Sequence, residues 1–225
     1  MVLFYAMGGG LGHLTRAVSF MHTLSLDSSQ IRLLSASPYA RPPFLPEKIQ
    51  SLQVPTGLDQ EPGHYRRWLE TLVQTHQIRE VYLDAFPAGI LGEWNDFPGQ
   101  LRFHYLARIL HWPRYKRLLG NHPPQIHTTY LLEVLPADQQ AFIHRNAQQV
   151  LKLNLLDPPA SSSPAELYPD LAAWATGPRP AWLIVHSEPS AEVEALIDYA
   201  QQCCGIEQIS PDCLVISQRP TLTCA

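Results

Sequence analysis

A histidine and an arginine three residues apart, His13 and Arg16, follow directly on a glycine run, Gly8-Gly9-Gly10-Leu11-Gly12. Imidazole titrates near neutral pH, so a neutral His13 accepts a proton and a cationic one binds an anion. Arg16 can contact a phosphate, or it can be a solvated side chain one turn into a helix. Asp84, in Asp84-Ala85-Phe86-Pro87, can orient His13 or bind a hydroxyl; its structural alternative is an Asx turn that ends a strand before the proline. His186 closes the apolar run Ala181-Trp182-Leu183-Ile184-Val185 and is a further candidate ligand contact. His13 and Asp84 are the two catalytic candidates; the structural alternative for His13 is a helix-capping or loop-packing histidine. Gly9, Gly10, Gly12, Arg16 and His186 are the candidate ligand-binding residues.

These residues need elements to position them. Val2 to Met7 is a short apolar run with an abrupt glycine stop, which reads as a buried strand. Glycines let backbone approach a ligand with no Cβ in the way, and the following helix directs its free N–H groups at the loop. Leu14, Ala17, Val18, Met21 and Leu24 share a helical face, which predicts a helix ending near Asp27. Further strands are predicted over 31–35, 51–54, 80–84, 101–106, 129–133 and 150–155, with helices around Tyr65–Val73 and over 137–146. The fold class is α/β, a Rossmann-like parallel sheet with helices on both faces. Ligands bind beyond the carboxyl ends of such strands, the edge expected for Asp84 and the glycine loop. The second strand ends in Ser35-Ala36-Ser37 with no carboxylate for a ribose, and His13 stands where a dinucleotide fingerprint has its third glycine, so NAD is disfavoured.

The net charge of -4 over 225 residues leaves no electrostatic footprint for nucleic acid. No apolar stretch approaches the roughly 20 residues of a membrane span, and the opening run does not fit a signal peptide, so a cytoplasmic protein is expected. The cysteines Cys203, Cys204, Cys213 and Cys224 form no C-x-x-C pair and read as reduced thiols. His104, His111, His122 and His127 lack zinc-ligand spacing, so no metal is assigned, and no cofactor is expected. Tyr105, Trp112 and Tyr115 can stack on sugar rings or simply form core. The Pro, Ala and Ser content after Asp157 reads as a linker, and a new βαβ unit begins at Ala181.

Met7-Gly8-Gly9-Gly10-Leu11-Gly12-His13-Leu14-Thr15-Arg16 resembles the N-terminal loop of glycosyltransferases with two Rossmann-like domains, the GT-B fold. The resemblance is to predicted members of the family whose best-known enzyme adds N-acetylglucosamine to lipid-linked muramyl peptide. The stretches from Asp84 to Glu93 and from Trp182 to Pro189 are similar to the same group. The resemblance implies an acceptor-type domain over 1–160, a linker over 161–180, and a truncated βαβ start of a donor-type domain over 181–225. It implies transfer of a sugar from a nucleotide-sugar to an acceptor hydroxyl, on a small molecule or a lipid-linked one. A partner chain or a second copy would then complete the donor site. The alternative is a non-catalytic GT-B-like domain that binds a sugar or phosphorylated ligand.

Overall fold

The computed structural model describes residues 1–8, 11–37, 40, 41, 45, 46, 48–58, 61–159, 183–185, 198 and 214–216. Seven strands run in chain order: β1 (Val2–Tyr5), β2 (Ile31–Ser35), β3 (Gln50–Gln53), β4 (Glu80–Asp84), β5 (Arg102–Ala107), β6 (Ile126–Leu131) and β7 (Ala147–Lys152). They form one all-parallel sheet in the order β3-β2-β1-β4-β5-β6-β7. The helices are α1 (Leu11–Thr23), α2 (Pro62–Thr75), the short α3 (Trp112–Tyr115) and α4 (Ala137–Asn146). This is a Rossmann-like α/β sheet with helices on both faces. The chain divides into two compact units, Met1–Asp157 and Pro158–Ala225. In the second, β8 (Leu183–Val185) and β9 (Leu214–Ile216) pair in parallel. The linker over 161–180, Gly9, Gly10, His186 and the cysteines lie outside the described residues.

Strand periodicity sorts the core into two layers. Leu3 and Tyr5 of β1 face one layer with Tyr65, Leu69 and Leu72 of α2, Trp112 of α3 and Phe142 of α4. Phe4 and Ala6 face the other, with Leu14, Ala17, Phe20 and Met21 of α1 and Tyr82 of β4. Phe4 stacks on Tyr82 with ring centroids 5.8 Å apart, and Phe20 meets Tyr82 at 5.5 Å. After β7 the chain turns back along α1: the Leu156 amide donates to Thr23 Oγ1 and the Ser19 hydroxyl to Asp157.

Element ends depart from the sequence reading where backbone chemistry overrides periodicity. α1 stops at Thr23, short of Asp27, because Ser25 takes φ 50° and closes a Schellman turn with Ser25 N–H on His22 and Leu26 N–H on Met21. Asp27 instead caps a short 3₁₀ turn over Ser28–Gln30, accepting from the Ser29 amide. α2 starts at Pro62, three residues before the first apolar position, where proline needs no intrahelical donor. β6 begins at Ile126, earlier than the expected 129, and the register slips between Phe103 and His104 of β5. Residue 127 is thus the extra one of a bulge, which hides the alternation from a pattern search.

That slip brings two histidines together. His104 is 6% exposed, stacks on Tyr82 at 4.4 Å, and has His127 at 5.6 Å and Tyr130 at 6.5 Å between ring centroids. Neither ring nitrogen has a hydrogen-bond partner, and Glu80 Oε2 lies 3.5 Å from Nε2. Burial pushes the imidazole down to about 4, with His127 and Arg102 pushing the same way and Glu80 opposing. Between about 6.5 and this value the unfolded chain binds a proton that the folded chain refuses, so stability falls as pH drops through that window. The contribution is complete above it. The expected loss is on the order of 1–2 kcal/mol, discounted because relaxation and water penetration soften the burial of the charged ring. Urea unfolding at stepped pH checks it; His104→Phe keeps the stack on Tyr82 and is expected to flatten the profile between pH 6.5 and 4.

Candidate functional site

The sheet places β1 beside β4, while the chain runs from β1 outward through β2 and β3 before returning. Helix α1 therefore begins at the topological switch point, the crevice where open α/β sheets bind ligands. Asp84 is the last residue of β4 and lies two residues past Tyr82, so its side chain shares the α1 face of the sheet. His13 and Arg16, three apart on α1, lie on one helical face above it.

The three side chains meet. His13 Nδ1 is 2.6 Å from Asp84 Oδ2. Arg16 donates from Nε to Oδ1 at 2.6 Å and from Nη2 to Oδ2 at 2.8 Å, a two-pronged ion pair. Asp84 is fully buried, Arg16 is 8% exposed, and the His13 side chain keeps 22% exposure. Burial alone would raise the Asp84 carboxyl; the Arg16 charge and the His13 hydrogen bond outweigh it and hold it below its ordinary value. An ionised Asp84 can only accept, so Nδ1 of His13 carries a hydrogen, and in the neutral ring the lone pair then stands on Nε2. The 3.3 Å approach of Arg16 Nη2 to Nδ1 is then a contact between two N–H groups rather than a bond. The arrangement can hold an imidazole in one tautomer and take a proton at Nε2.

Gly8, passed over as a site residue, packs flat against this imidazole: a Cβ there would overlap Cδ2 and Nε2 of His13. Phe86 also lies nearly parallel to the ring, at 6.0 Å between centroids and 19°. The segment 85–93 that carries Phe86 is strained and pinned. Ala85 takes φ 64°, its amide donates to Leu106, and its carbonyl accepts from the Tyr105 hydroxyl at 3.0 Å. Tyr115 accepts from the Ala88 amide and donates to the Gly89 carbonyl, both at 2.9 Å. Beneath the segment the buried Glu93 accepts from the Tyr5 hydroxyl and from the Leu91 amide at 2.8 Å. Burial raises the Glu93 carboxyl even though these donors pull it down. Gly89 has φ 88° and touches the Glu93 carboxylate where a Cβ would go, so only glycine fits.

The structure thus brings together His13, Asp84 and Arg16 from the sequence-derived set. Gly12 lies in the first turn of α1, and Gly9, Gly10 and His186 are outside the described residues. Tyr105, Trp112 and Tyr115 are core or loop supports rather than open stacking platforms. Sequence reasoning missed Gly8, Phe86, Glu93 and Tyr5. The available signal for Glu93 was a carboxylate in an otherwise apolar, glycine-bracketed stretch, Ala88-Gly89-Ile90-Leu91-Gly92-Glu93. Among the described residues no group of three or more His, Cys, Asp or Glu is placed to hold a metal ion. Among them, too, no helix is long and apolar enough to cross a membrane.

No protein-family model matches the sequence, and no curated protein does. Among solved structures, the chain is similar to a UGT transferase from Siraitia grosvenorii crystallised in complex with UDP, at 13% identity and a TM-score of 0.49. The match covers 91% of this chain and 61% of that one, so the chain spans about three-fifths of that protein's length.

Two substitutions probe the constellation. Arg16→Met leaves a buried carboxylate uncompensated and is expected to cost roughly 3–5 kcal/mol in urea unfolding at pH 7. In the wild type, the Asp84 contribution is complete above its unfolded value near ~4 and is lost as pH falls below it. In Arg16→Met the burial penalty dominates, so the slope inverts and acidification from pH 7 to 5 is expected to recover stability. Gly8→Ala forces the His13 ring off Asp84 at a cost of about 1–3 kcal/mol. Its signature is loss of the downfield, hydrogen-bonded His13 Nδ1–H proton resonance while the rest of the spectrum is kept.

Proposed function

We propose that this chain is a glycosyltransferase-type protein of the GT-B kind, and that His13 is its base for an acceptor hydroxyl. In this reading the acceptor O–H gives its proton to His13 Nε2 and its oxygen forms a bond to the sugar's anomeric carbon. The bond from that carbon to the donor's diphosphate breaks, and the nucleoside diphosphate leaves with the electron pair. Asp84 holds the imidazole in the required tautomer and offsets the charge it gains. Gly12, in the first turn of α1, lies at the same edge. The acceptor belongs to residues 1–160 and the nucleotide-sugar to the segment that begins near 181, with a partner chain or a second copy adding to the donor side. A cytoplasmic setting accompanies this reading.

The observation that carries the proposal is the position of a partly exposed imidazole on a sealed carboxylate at the β1/β4 switch point. The similarity of the Gly8–Arg16 loop to that of the GT-B enzymes supports the choice of sugar transfer over other proton-transfer chemistry. The test is a panel of uridine, thymidine and guanosine diphospho-sugars with mixed acceptors, the full chain as catalyst and mass spectrometry as readout. Transfer by the wild type that falls about 10²–10⁴-fold in His13→Ala is the expected result. Transfer that His13→Ala leaves unchanged removes His13 from the chemistry. Ligand-induced thermal stabilisation without any product favours the non-catalytic binding domain instead.

A further inference from the structure

We propose that Arg16 is a positioning residue that selects the tautomer of His13, so that the free lone pair stands on Nε2 and not on Nδ1. The inference takes its catalytic meaning from the reading above but is observable without turnover. The guanidinium reaches both oxygens of Asp84, whose side chain has no exposed surface. Oδ2 accepts from both Arg16 Nη2 and His13 Nδ1, so the two donors share one acceptor and neither can turn away without leaving it half-filled. A carboxylate in that position accepts and does not donate, which obliges Nδ1 to carry hydrogen.

With the guanidinium charge gone, the same burial favours a protonated carboxyl, which has a hydrogen to give. A protonated Asp84 donates to Nδ1 and pushes the imidazole hydrogen onto Nε2, where it blocks proton uptake. Arg16 would thus decide, from behind the carboxylate, which nitrogen is basic. A residue that merely fills space or ties α1 to β4 would change stability without moving the tautomer.

The experiment is a long-range proton–nitrogen NMR correlation on the ¹⁵N-labelled full chain near pH 8, with His13 assigned from its loss in His13→Gln. In the wild type the hydrogen is expected on Nδ1 by about tenfold or more. Arg16→Met, and Arg16→Gln as the variant that keeps a donor but drops the charge, are expected to lower that ratio by about fivefold or more. Arg16→Lys restores the charge and is expected to restore the wild-type ratio. A wild-type hydrogen on Nε2, or an unchanged ratio in either neutral variant, overturns the proposal. Failure of every sugar donor in the transfer assay would leave this ratio readable, so the two readings fail separately.

Discussion

A carboxylate with no exposed surface, kept charged by an arginine, is the constraint on which the rest of the amino-terminal unit depends. Removing an ion from water costs several kcal/mol even after a protein relaxes around it, and attraction offsets that only when geometry is good and the lone pairs are filled. Asp84 meets both conditions, with two Arg16 donors and His13 on its two oxygens. The pair also bolts α1 to β4, elements 68 residues apart in sequence along the Arg16–Asp84 link. The rest of the contact between α1 and the sheet is, among the described residues, an apolar face, which fixes the rotation of a helix less sharply than a directional bond. The two-pronged ion pair fixes the turn of the helix that carries His13, because a guanidinium fork matches a carboxylate in one plane.

The opposite wall is held by a different economy. Ala85 sits in the left-handed region directly after Asp84, a conformation costing of order 1 kcal/mol for a residue with a Cβ. What keeps it there is a set of buried hydroxyls, Tyr105 on Ala85 and Tyr115 on Ala88 and Gly89, together with the Glu93 carboxylate under the turn. The result is that Phe86 lies against the imidazole and cannot swing with the loop. His13 is therefore bracketed by Gly8 just past β1, Phe86 in the pinned loop and Asp84 at the end of β4.

Much of this was legible in the sequence, and the reason is that periodicity reports burial. Seven strands appear in the amino-terminal unit in the expected order, the last two each beginning three residues earlier than their apolar runs, at Ile126 and Ala147, and α4 matches its expected 137–146 span. The pairing of His13 with Asp84 followed from one rule, that strand carboxyl ends share an edge. The Arg16 contact was not read, although its elements were available: three residues separate it from His13, and Asp84 has the parity of Tyr82. Arg16 read as a phosphate contact or a solvated side chain, and neither includes a sealed ion pair, because a sequence does not display which side chains burial will desolvate. Gly8 escaped for a related cause. Among consecutive glycines nothing marks the one that a ring will lie against. The bulge at residue 127 and the Schellman end of α1 are backbone decisions with no composition signal, so strand β6 and the helix terminus shifted.

The division of exposure within the constellation narrows what it can do. Asp84 offers no surface and Arg16 very little, whereas the His13 side chain remains about one-fifth open. A ligand arriving at the carboxyl edge therefore meets the imidazole and not the charged pair behind it. An exposed arginine would make the edge an anion trap whose strength falls with salt. A sealed one leaves the edge with Nε2 of His13 held in a fixed direction by the bond from Nδ1 to Asp84. On the proposed reading, that arrangement suits a hydroxyl better than a phosphate as the group presented to His13, because the charge of Arg16 is already matched behind the ring.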